Sequence, residues 1–129
     1  MSENTVDAVS MPAEVGAQDE QRDLADVAAV EVIATLAVHL MSATAVKLGL
    51  AEGGEADQDL DEARKLIIAL AGLVTAAAPE IGSQHAAPLR DGLKTLQLAF
   101  REASPYPDEP GQGPGEKLTG AVYAPAKRA

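Results

Sequence analysis

The stretch Asp59-Leu60-Asp61-Glu62-Ala63-Arg64-Lys65-Leu66-Ile67-Ile68-Ala69-Leu70 decides the fold class. Asp59 with Glu62 three residues on marks a helix start, a capping box in which Asp replaces the usual Ser or Thr. Leu60, Ala63, Ile67, Leu70, Val74 and Ala77 then recur at helical spacing and form one seam, while Leu66, Ile68 and Leu73 point away from its centre line. The pattern predicts a helix that stops at Pro79, where the ring removes a backbone donor.

Toward the N-terminus, a first helix is predicted to begin after an Asp cap, Asp23 or Asp26, and to run to Leu48. Gly49 then supplies the left-handed position that ends helices cheaply. Toward the C-terminus, Pro88 suits a first helical position, and Leu89, Leu93, Leu96 and Phe100 follow at i, i+4, i+7 and i+11. This third, plainly amphipathic helix fades before Pro105. Gly92 within it weakens the helix by about 1 kcal/mol relative to Ala, and a close helix contact would explain it.

The flanks read differently. Residues 1–22 are rich in Glu, Asp, Asn and Gln without a helical period and are expected to be a disordered acidic arm. Residues 104–129 hold five Pro and four Gly, a density read as incompatible with helix or strand, so a disordered tail is expected there too. The expected organisation is therefore an acidic arm (1–22), a three-helix domain (23–103) and a Pro/Gly-rich tail (104–129).

Composition supports one all-α domain. Of 129 residues 47% are hydrophobic but only 2% aromatic, because the apolar content is 26 Ala and 14 Leu. Those residues lead the helix scale, whereas a β-sandwich wants aromatic and β-branched side chains.

The formal charge is −10, a balance that phosphate backbones and anionic lipids repel, so neither direct DNA binding nor a membrane is expected. The longest uncharged runs, 15 residues from Val32 and 14 from Leu66, fall below the roughly 18 needed to span a bilayer. Without cysteine there is no disulfide framework and no thiol nucleophile. Met1–Ser10 lacks the basic and apolar parts of a signal peptide, which points to the cytoplasm.

Candidate chemistry is sparse. Asp57, Asp59 and Asp61 have the opening spacing of an EF-hand loop, but Glu62 stands where Gly is needed and Ile68 where the bidentate Glu is needed. His39 and His85 lie far apart with no ligand at metal spacing on the same helix. No nucleophile elbow or phosphate loop is present. No enzyme activity, metal or cofactor is expected.

The informative anomaly is hydrophobic surplus. From Val27 to Leu48 the polar side chains Glu31, Thr35, His39 and Ser42 make one narrow strip, and most of the remaining circumference is apolar. Three helices cannot cover both that surface and the second helix. If about 600 to 800 Å² per protomer were left over, its burial would be worth roughly 15 to 20 kcal/mol before association costs. A homo-oligomer is therefore expected, with Ile33, Leu36, Ala37, Leu40, Ile67, Leu70 and Val74 at the interface and His39 closing a hydrogen-bonded polar strip. The alternative is a monomer whose first two helices form a pocket for a small apolar ligand.

The segment Val32–Leu50, ending Lys47-Leu48-Gly49-Leu50, followed by Asp59-Leu60-Asp61-Glu62-Ala63-Arg64-Lys65-Leu66-Ile67-Ile68-Ala69-Leu70, resembles the small bacterial domain of unknown function numbered 1844. The likeness covers about residues 27–103 and is most specific at Asp59, Leu60, Ala63, Arg64, Ile67 and Leu70. It departs at Ala78-Pro79-Glu80-Ile81-Gly82-Ser83-Gln84-His85, where members tend to carry Thr-Pro-Glu-Glu. The resemblance implies a cytoplasmic bacterial protein and brings no catalytic residue with it. By gene association alone it implies a protein or ribosome partner in translation.

Overall fold

The computed structural model describes residues 25–123, and the expected acidic arm lies outside them. The chain is all-α: among the described residues there is no strand, and three long helices are joined by short connections. By its contacts the chain divides between Val32 and Ile33.

Helix α1 spans Ala29–Lys47. Of the two expected N-caps, Asp23 lies outside the described residues and Asp26 stands three residues before the helix, too far to cap it. The C-terminal end forms as expected. Gly49 has φ +79°, its N–H donates to the Val46 carbonyl at 3.0 Å, and the Leu50 N–H donates to the Ala45 carbonyl at 2.9 Å. These two bonds make a Schellman motif and satisfy carbonyls that a helix end leaves open. The loop closes two more: Asp59 N–H donates to Lys47 O at 2.8 Å, and Gln58 Nε2 to Leu48 O at 3.2 Å.

After a 3-10 turn at Gly54–Asp57, helix α2 runs Leu60–Ile81. Asp59 caps it, accepting from the Glu62 N–H at 3.2 Å. The reciprocal half of the capping box is absent, because the Asp59 N–H is taken by Lys47 O and the Glu62 carboxylate accepts from Lys65 at 2.6 Å. That bond holds the Lys65 ammonium above its ordinary range.

Helix α2 passes through Pro79, and helix α3 starts at Ser83 instead of Pro88 and ends at Ala103. Pro79 sits in the last turn, where it removes one bond and the helix has little left to break. The break comes instead at Gly82, φ +87°, a conformation that L side chains avoid. Helices α2 and α3 are antiparallel: Arg64, near the start of α2, lies 5.1 Å from the Phe100 ring, near the end of α3. Their facing seams, Ala63, Ile67, Leu70 and Val74 against Leu89, Leu93, Leu96 and Phe100, are the core. Ala37 and Leu48 join it from the α1 side, and Met41 meets α3 at Gly92, the close contact that the glycine suggested.

The Pro/Gly-rich segment adds a piece that the sequence did not suggest. Its described part, up to Tyr123, lies on the α2–α3 pair as a strap carrying a short helix α4, Glu116–Thr119. The expectation that this composition admits no helix is corrected there. Gly115, φ +79°, lets the backbone approach so closely that a Cβ would stand 2.7 Å from the Ala71 Cβ. Pro114 and Glu116 are buried. Polar ties replace the hydrophobic periodicity that marks a helix in sequence: Gln97 Nε2 to Pro114 O at 3.0 Å, Arg101 Nη1 to Asp108 O at 2.6 Å, and the Gly111 N–H to Glu116 Oε1 at 2.6 Å. Residues 124–129, including the basic tip, lie outside the described residues.

Candidate functional site

Two surfaces stand out, and the first is α1. Only Ala37 and Thr44 are buried along its 19 residues. With 100° per residue, Ala37, Thr44 and Leu48 fall on one line facing the core, the opposite side carries Thr35, His39 and Ser42, and Leu36 and Val38 stand on its two flanks. All five are exposed, Leu36 at 48% and Val38 at 54%. No charged side chain occurs between Ile33 and Val46. The helix shows water an uncharged face, flanked by aliphatic side chains, where a surface helix normally presents Lys and Glu.

The expected interface residues separate on this geometry. Leu36 is exposed, and Ile33 and Leu40 are half-buried. Ala37, Ile67 and Leu70 are fully buried and Val74 nearly so, all within the single chain. These four belong to the protomer's own core and are corrected as interface residues. The seam of α2 is closed by α3 of the same chain, a pairing that periodicity along one helix does not reveal.

Glu31, Thr35, His39 and Ser42 are all exposed, but among the described residues no hydrogen bond joins any two of them. In the single chain the strip is an exposed polar line on the helix. Thr44, which lies off that strip, is the buried polar residue. It is fully enclosed because its Oγ1 donates to the Leu40 carbonyl at 2.7 Å, one turn back.

The helix outruns its uncharged core at both ends. Its 19 residues include an 18-residue stretch of mean hydropathy 1.7, long and apolar enough to cross a membrane by length and composition, contrary to the estimate from the uncharged run. The three aspartates of the EF-hand-like spacing do not converge: Asp59 caps α2, and Asp57 folds against Gly53.

The second surface is a recess of about 400 Å³ between α2, α3 and the strap. Val74, Leu93, Leu118 and Val122 give it apolar walls, and Arg90 and Lys94 stand at its rim. It differs from the expected pocket between the first two helices, since none of its lining residues comes from α1. Arg90, Lys94 and Gln97 share one face of α3 at i, i+4 and i+7, a stripe visible in the sequence, but the strap that faces them carries no comparable signal.

Together these features define a small all-α protein with an α2–α3 hairpin, a weakly covered leading helix and a strapped C-terminal segment. The chain belongs to the family described as Domain of unknown function (DUF1844), whose model matches residues 29–102. No curated protein and no solved structure matches it. The family match ends at the close of α3, so the strap lies beyond the matched residues.

Proposed function

We propose that this chain is a non-enzymatic interaction protein that self-associates through the outward face of α1. The observation that carries the reading is the uncharged run Ile33–Val46, along which Leu36 and Val38 stay about half exposed while the chain as a whole has a charge of −10. A protein so acidic has charge to spare for a solvated helix, yet on this one it places charges only near the ends, at Glu31 and Lys47. A second copy offers an identical uncharged face, and a two-fold contact would bring like against like without burying a charge. Thr35, His39 and Ser42 then lie inside the contact and can hydrogen-bond across it, as the polar strip requires. A bilayer fits less well, because it would desolvate those three side chains without partners and attract little from an acidic chain.

Analytical ultracentrifugation across a concentration series tests the reading. The full chain is expected to show a dimer or higher species, and Leu36→Glu with Val38→Glu a folded monomer. A concentration-independent monomer for the unaltered chain overturns it. The link to translation rests on the family association alone. It predicts comigration with ribosomal particles in a low-salt gradient, and absence from those fractions removes it.

A further inference from the structure

The recess between α2, α3 and the strap has the features of a small-molecule site. Its volume, about 400 Å³, falls within the range of ligand pockets, which run from roughly 300 to 1,000 Å³. Val74 from α2, Leu93 from α3, and Leu118 and Val122 from the strap supply its aliphatic surface, beside the polar Thr75, Gln97 and Thr119. Leu118 is 51% exposed although it lies against the fold, so the recess leaves apolar surface open to water.

The charge of the site is the opposite of that of the chain. Arg90 and Lys94 line it, none of its lining residues is acidic, and among the described residues neither cation has a carboxylate partner. The arrangement is built by two independent devices. Arg90 and Lys94, four apart on α3, lie one above the other on the same face. The strap is fixed opposite them by Gln97, whose Nε2 donates to Pro114 O at 3.0 Å and lies 3.2 Å from Thr119 Oγ1. The repulsion an anion would feel from the distant acids of the chain is screened over roughly 10 Å at 0.1 M salt, whereas cations at the rim act at contact distance.

We infer that this recess binds a small amphipathic carboxylate, its aliphatic chain lying between Leu93, Leu118 and Val122 and its carboxylate meeting Arg90 and Lys94. An uncharged apolar ligand would leave the two cations unused. A phosphate without an apolar tail would leave the aliphatic walls wet. The inference is independent of self-association through α1, since the recess contains no residue of that helix.

The test is a titration of the full-length, isotopically labelled chain with octanoate, followed by amide chemical shifts, with 1-octanol as the uncharged comparator. Octanoate is expected to give saturable shifts centred on Val74, Leu93, Leu118 and Val122. Arg90→Gln with Lys94→Gln, both at exposed positions, is expected to weaken octanoate by about tenfold while leaving 1-octanol unchanged. Thr75→Trp, an exposed lining position on α2, is expected to fill the recess and abolish binding of both. No saturable shift with octanoate, shifts that map to α1, or equal octanoate affinity in the double variant overturns the inference. Saturation by an acidic peptide in place of octanoate also overturns it, in favour of a protein partner.

Discussion

Gln97 donates through its Nε2 to the Pro114 carbonyl oxygen at 3.0 Å, and this bond is buried, with Gln97 only 2% exposed. A glutamine on the inward face of an amphipathic helix would ordinarily weaken a core. Here it satisfies a strap carbonyl that no helix or strand would pair, in the interior where an unpaired carbonyl is expensive.

Gln97→Leu therefore removes a donor and leaves the Pro114 carbonyl unpaired. The expected loss is roughly 1 to 3 kcal/mol of stability in urea unfolding. The same variant is expected to speed amide exchange across residues 111–120 ahead of the α2–α3 core. Unchanged exchange in the strap would show that the bond does not hold it.

The glycines make a contrast that thermal unfolding resolves. Gly115→Ala meets both a left-handed φ of +79° and the Ala71 Cβ at 2.7 Å, and is expected to destabilise by about 1 to 3 kcal/mol. Gly72→Ala, inside α2 with nothing within 4 Å of its new Cβ, is expected to stabilise by roughly 0.5 to 1 kcal/mol. Gly92→Ala has the same helical gain, but its Cβ would stand 2.8 Å from the Met41 thioether, so its benefit is expected to be smaller than that at Gly72.

Arg64 joins the strap to α2 by a 2.8 Å ion pair with Asp108, the two side chains being 40% and 32% exposed. At that exposure the pair contributes under about 1 kcal/mol. Asp108→Ala is expected to lower the urea midpoint slightly, and the difference from the unaltered chain to shrink as salt is raised. A large, salt-independent loss would show that the Asp108 side chain does more than form a screened ion pair, since the Ala variant keeps the carbonyl that Arg101 donates to.

Ile67, fully buried in the α2 seam, separates the core from the proposed contact surface. Ile67→Ala is expected to cost about 2 to 5 kcal/mol of stability, while Leu36→Glu leaves the unfolding midpoint of the protomer nearly unchanged and reduces self-association. Equal destabilisation by both would show that the face of α1 is part of the folded monomer's core.

The sequence by itself determined the all-α class, the cap at Asp59, the left-handed stop at Gly49 and the inward leucines of α3, because each depends on residues within one or two turns of each other. It also marked α1 as too apolar for a solvated helix, and Leu36 and Val38 are indeed left exposed. Only the tertiary structure decided what covers what. The seam of Ile67, Leu70 and Val74 is closed by α3 within the same chain, and the segment after Ser104 is laid down as a strap. Both outcomes depend on contacts between residues far apart along the chain, including 17 positions from Gln97 to Pro114 and 44 from Arg64 to Asp108. Periodicity reports which side of a helix avoids water but not which surface meets it. A strap held by backbone carbonyls and a glycine's missing side chain leaves no hydrophobic period to read.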